Sequence, residues 1–154
     1  MVPLDAPPTS APRTLARIAL GAILTFAGVT HLTVARDEFQ AQVPSWFPVD
    51  DDAVVIVSGL VEITLGAALI GWARGRVPVG WVVAAFFVAI FPGNIAQYVE
   101  GTDAFGLDTD RARLTRLFFQ PVLVLWALWA GGLLGRRRPV LAEEQQREEV
   151  ETGE

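Results

Sequence analysis

Four apolar stretches divide this chain, at residues 18–35, 53–73, 77–98 and 117–134, and none carries more than one Arg, Asp, Glu or His. Stretches of 18 to 22 residues, at a rise of about 1.5 Å per residue, span roughly 27–33 Å, the thickness of a bilayer's hydrocarbon core. None alternates apolar with polar positions as a barrel strand does, so each predicts a helix. The pattern as a whole predicts an all-α transmembrane four-helix bundle over residues 17–135. Pro78 falls in a first helical turn, where its missing N–H does no harm, and Pro92 falls where it should kink the third helix. Pro121 falls near the start of the fourth. Val83 reads as a lipid-facing position. The first stretch ends in Thr33-Val34-Ala35, which resembles a cleavage site, but it is long for a signal peptide and three further spans follow, so it is read as retained.

The polar segments set the organisation around these spans. Residues 1–16 are rich in proline and small polar residues and read as disordered. Residues 36–52 carry Phe39, Val43, Trp46 and Phe47 among charges and read as an interfacial segment. Residues 74–76 leave room only for a tight hairpin, residues 99–116 form a second acidic loop, and residues 136–154 form a charged tail. Residues 1–17, the hairpin and the tail hold eight arginines, and the two longer loops hold four. That bias predicts both termini in the cytoplasm (N-in/C-in) in a multi-pass membrane protein. Trp72, Trp81 and Trp129 then form the cytoplasmic aromatic belt.

Composition narrows the chemistry. Hydrophobic residues make up 52% of the chain and the mean hydropathy is +0.41, which marks the lipid bilayer as the principal partner. Cysteine is absent, which excludes thiol relays, iron–sulfur ligation and cysteine zinc sites within this chain. One histidine cannot supply a paired haem ligation. The net charge is −5 and every basic residue is arginine, with no basic footprint for nucleic acid.

Polar side chains inside the spans are few: His31, Glu62, Asn94, Gln97 and Gln120, with Arg116 at the rim. Such groups are costly in hydrocarbon, at about 2.5 kcal/mol or more for a central carboxylate, and each therefore needs a partner or a purpose. Helix rise places them all in the outer half of the bilayer. Helical side chains lean toward their own N-terminus, so His31 and Asn94 lean inward while Glu62, on a helix of opposite direction, leans toward them. His31, Glu62 and Asn94 are expected around one pocket, with Arg116 and Gln120, four residues apart, capping it. Gly21 and Gly28 share a face with His31, and Gly59 and Gly66 share one with Glu62, which predicts close helix approach there. The same residues would also serve a hydrogen-bond network that only holds the bundle together.

The sequence resembles the DoxX-like family of small four-span membrane proteins. The matching pieces are Gly28-Val29-Thr30-His31, Val43-Pro44-Ser45-Trp46-Phe47-Pro48, and Ser58-Gly59-Leu60-Val61-Glu62 with the Ile63-Thr64-Leu65-Gly66 that follows. Asn94-Ile95 and Arg116-Leu117-Phe118-Phe119-Gln120-Pro121 complete the set. Leu32 departs from the pattern, since relatives often place an aromatic after the histidine. The resemblance implies a bacterial-type inner-membrane protein tied to quinone-linked redox, with quinone as the implied cofactor and no stand-alone catalytic motif. Three readings stay open. One is an accessory subunit that binds quinone or another small lipophile, with membrane or cytoplasmic redox proteins, or a second copy of the chain, as partners. Another is a scaffold without a ligand, and the third is a carrier of a small solute or protons.

Overall fold

The structure, a computed structural model, describes residues 9–134. The charged tail and the first eight residues of the N-terminal segment lie outside the described residues. Five helices follow one another: α1 (Ala11–Leu32), α2 (Arg36–Gln40), α3 (Asp51–Gly71), α4 (Arg76–Glu100) and α5 (Asp110–Gly131), with a 3₁₀ turn at Ala73–Gly75. Among the described residues there is no strand. Ala11–Leu32, Asp51–Gly71, Ala73–Glu100 and Asp110–Gly131 are long and apolar enough to cross a membrane.

Side-chain caps, not the edge of the apolar block, set where α3 and α5 begin. The Asp50 carboxylate accepts from the Ala53 N–H at 3.0 Å, and the Thr109 hydroxyl accepts from the Ala112 N–H at 3.3 Å. Each satisfies an orphan donor of a first turn. As a result α5 starts at Asp110, well before Leu117, and Pro121 lies inside the helix, not near its start. Pro12 occupies the first turn of α1, where a fixed φ favours the helix, so residues 11–16 are helical and not disordered. α4 ends at Gly101, whose φ of +68° supplies the left-handed cap. α1 stops at Leu32, and the segment beyond it folds into α2 and a run of turns.

The long helices pack as two close antiparallel pairs. In the α1/α3 pair, a Cβ added to Gly28 would stand 2.5 Å from the Gly59 carbonyl oxygen, and one added to Gly66 would stand 2.6 Å from that of Gly21. In the α4/α5 pair Gly80 and Gly131 meet in the same way, with a Cβ on either about 3 Å from the partner's Cα. Only glycine permits this approach, and dispersion contacts between backbones then hold each pair without a hydrophobic driving force. A core of Leu20, Leu24, Leu69, Val79, Val83 and Phe87 fills the seam between the pairs. Val83, read from sequence as lipid-facing, is thus fully enclosed. Only 22–39% of the apolar window of each span is buried within the protein. Phe26, Val88 and Phe118 on the outside are more than half exposed, and a bilayer is the solvent that suits such a surface.

Candidate functional site: a polar-lined cavity between the helix pairs

Both pairs line one space toward the end of the bundle that carries the long connections (the loop end, opposite the 73–75 turn). There they leave a cavity of about 580 Å³. His31, Glu62, Asn94, Arg116 and Gln120 all line it. The remaining wall is mostly apolar and aromatic, drawn from all four spans and from the 39–47 segment. A volume of this size suits a small amphiphile.

Two polar pairs face the cavity from opposite helix pairs. In the first, the His31 Nδ1 lies 2.8 Å from the Ala27 carbonyl oxygen. A carbonyl can only accept, so Nδ1 carries a proton and donates there. The same nitrogen is 3.0 Å from Glu62 Oε2. One N–H thus stands before two acceptors, and Glu62 Oε2 is left buried without an aligned donor. The glycine contact produces this meeting directly: the Cβ that Gly59 lacks would stand 2.8 Å from His31 Cβ.

In the second pair, Asn94 Nδ2 donates to Gln120 Oε1 at 2.9 Å, and Gln120 Nε2 donates to the Phe87 carbonyl at 2.6 Å. Pro92 has no N–H to give the helical ladder one turn on from Val88. The Phe87 carbonyl adjoins that gap, and the Gln120 amide reaches it from α5. Asn94 therefore bonds across to α5 while lining the same cavity as His31 and Glu62. His31, Glu62, Asn94 and Gln120 are each at least nine-tenths buried.

Arg116 is half-buried and closes one side of the cavity. Its guanidinium donates to Gln97 Oε1 at 3.1 Å and to Gln42 Oε1 at 3.0 Å, and lies 5.2 Å from the centre of the Phe105 ring. Among the described residues no carboxylate pairs with it. Gln42 and Gln97 are bonded to each other at 3.4 Å, so the 41–50 segment is tied to α4 through Arg116. Gly93 makes the approach possible, since a Cβ there would stand 2.9 Å from the Gln42 carbonyl oxygen.

Several site residues escaped the sequence argument. Phe39 stacks on the His31 ring with centroids 3.3 Å apart, and Phe105 meets Phe39 edge-on at 4.6 Å. Phe39, Gln42, Trp46 and Phe47 line the cavity and do not simply lie at the interface. Gln97 was visible as a span residue three positions after Asn94, on the same helical face, and that spacing was the available signal for it. The 101–109 connection is held in place from outside. Buried Arg113 pairs with Asp103 and with Asp110 (2.8 Å), and the Phe105 N–H donates to the Glu38 carboxylate. Phe105 itself has a φ of +57°, a left-handed conformation uncommon outside glycine, held in place by these bonds. At the edge of the site Arg36 donates to Asp52 at 2.6 Å, and that hydrogen bond raises the Arg36 pKa above its ordinary value.

Residues 20–131 match the profile of a family described as a domain of unknown function, DUF8561. The chain belongs to this family. The matched stretch takes in all five residues singled out from sequence. No curated protein and no solved structure matches the chain. The family match carries no link to the DoxX-like proteins.

Proposed function

We propose that this protein is an intramembrane binding protein for a small amphiphile with a hydrogen-bonding headgroup, a quinone/quinol pair being the best fit. It would serve as a non-catalytic accessory subunit of a membrane redox assembly. The observation that carries this reading is Glu62: a carboxylate at least nine-tenths buried, with an oxygen that lacks an aligned donor, in the wall of an apolar cavity of about 580 Å³. A purely structural glue has no use for an unfilled acceptor in hydrocarbon, because each such group costs free energy. A hydroxyl headgroup would fill it by donating to Oε2, beside the His31 Nδ1 that stands 3.0 Å from the same oxygen. Arg116 retains N–H groups beyond its two amide contacts and could donate to an oxygen of the same headgroup. The apolar remainder of the cavity suits a ring and the first part of a tail.

The resemblance to DoxX-like proteins agrees with this reading and supplies the quinone. The arginine bias supports the N-in/C-in orientation, and the resemblance implies an inner-membrane location. A scaffold without a ligand is the second reading, favoured by the satisfied Asn94–Gln120–Phe87 relay, which needs no ligand. Purification in a mild detergent followed by chromatography of the extracted lipophiles separates the two. A near-stoichiometric quinone in the wild type, reduced in Glu62→Gln and absent in Glu62→Leu, supports the binding reading. Equal traces in all three proteins support the scaffold.

A further inference from the structure

The cavity reaches the outside of the bundle at mid-span, between α1 and α5. A side chain that lines the cavity and is also exposed on the outside stands at its rim, and Ile23 and Phe119 do both, at 50% and 61% exposed. Ile23 is the thirteenth of the 22 residues of α1 and Phe119 the tenth of the 22 of α5. Toward the 73–75 turn the same seam is closed, where Trp126 Nε1 donates to Ala16 O at 3.1 Å. Ala16 is seven residues from Ile23, and Trp126 is seven from Phe119, two helical turns or about 10 Å in each case. The two rim residues therefore stand at one level on their antiparallel helices.

The polar end of the cavity is close to this level. The Gly28–Gly59 and Gly21–Gly66 contacts set the register of α1 against α3. Glu62, three residues beyond Gly59, is thereby level with Thr25, three before Gly28, and Ile23 lies about 3 Å further along α1. Elsewhere the cavity is covered by tethered chain. Phe105, held by its N–H bond to Glu38, meets Phe39 over the loop end. Trp46 and Phe47 are exposed as well, but their segment is tied to α5 through Gln42 and Arg116 and to α4 through Ser45 and Glu100, at 3.0 Å each. An opening at mid-span faces hydrocarbon, where lipid chains lie and water does not.

We propose that the α1/α5 seam is the exit for the ligand's tail: the headgroup sits against Glu62, and an apolar chain passes between Ile23 and Phe119 into the bilayer. This assignment rests on the binding role proposed above and sharpens its ligand class. The cavity takes a membrane-resident lipophile with a chain longer than the cavity itself, loaded sideways from the lipid, and not a small solute that arrives from water.

The test uses the full chain in detergent with two benzoquinols, one short-tailed and one with a long alkyl tail that carries a diazirine. Affinities are read by calorimetry and cross-linked residues by mass spectrometry. The long-tailed probe should label α1 around Ile23 and α5 around Phe119, and excess unlabelled long-tailed quinol should remove that label. Ile23→Trp should weaken the long-tailed quinol about five-fold, the cost of overfilling a packed passage. The short-tailed one should stay within about two-fold, and Val88→Trp, exposed outside and away from the rim, should alter neither. Label concentrated on the 41–50 segment or α4, or an equal loss of both quinols in Ile23→Trp, would overturn the tail exit and leave the binding role standing. Should Ile23→Trp fail to fold, the wild-type label map decides alone. Failure of both quinols to bind the wild type would overturn the exit together with the binding role.

Discussion

Replacing Gly28 with alanine should disturb both the fold and the cavity, because one close approach holds the two together. The added Cβ would stand 2.5 Å from Gly59 O, 2.8 Å from Ile63 Cγ1 and 2.9 Å from Ile63 N. Two of these neighbours are backbone atoms and cannot rotate away. Restoring an ordinary separation of about 3.4 Å requires α1 and α3 to part by roughly 0.9 Å, a strain of about 1–3 kcal/mol by the measure of overpacked cores. Alanine's better helix propensity returns up to about 1 kcal/mol, so the net loss should be about 1–2 kcal/mol. His31 lies three residues beyond Gly28, and Glu62 three beyond Gly59. The same separation would therefore stretch the 3.0 Å His31–Glu62 contact toward 4 Å, outside hydrogen-bond range. Reversible unfolding in mixed micelles would read the stability, and the His31 ring resonances by NMR would read the contact. A Gly28→Ala protein as stable as the wild type, with unshifted His31 resonances, would refute the reasoning.

Other outcomes follow from the same geometry. Gly66→Leu should destabilise more than Gly28→Ala, since its Cβ meets Gly21 O at 2.6 Å and the rest of the side chain has nowhere to go; Val88→Leu, on the exposed surface, should melt within about 0.5 kcal/mol of wild type. Glu62→Leu should keep the fold, because losing a buried carboxylate worth about 2.5 kcal/mol of insertion cost outweighs one lost contact of about 1 kcal/mol; a chemical melt decides this. Arg113→Ala should free the 101–109 connection by removing its bonds to Asp103, Asp110 and Thr102, seen as faster amide exchange at Phe105. For the orientation, cysteines placed at Asp51 and Asp108 should react with an impermeant maleimide on intact cells, while one at Arg74 should not; the reverse pattern would invert the topology.

Much of the architecture can be read directly in the sequence, because hydrocarbon admits so few solutions. Apolar runs of span length must be helices, and glycines seven residues apart on two of them mark the faces that touch. His31 and Glu62 lie on those faces, and the argument from leaning side chains and opposed helix directions brings them together. Asn94 lines the same cavity, but its bond to Gln120 across the α4/α5 pair could not be read from helix direction alone. Helix starts reach beyond the apolar blocks at Ala11, where Pro12 favours the first turn, and at Asp110, where Thr109 caps it. The 36–52 segment was the least legible. Its aromatics satisfy an interfacial reading and a cavity-lining reading equally well, and only the approach of Gln42 to Gly93 distinguishes them. That approach depends on a tertiary contact with no local signature.

The central claim is that the cavity takes an amphiphile through Glu62. Trp46 lines this cavity, which makes the most direct measurement a fluorescence titration of the purified protein with a short-tailed quinol. The account predicts saturable quenching that is lost in Trp46→Phe. It also predicts binding weakened about tenfold in Glu62→Leu, the share of one hydrogen bond. Quenching that does not saturate, or that is the same in wild type and Glu62→Leu, would contradict it.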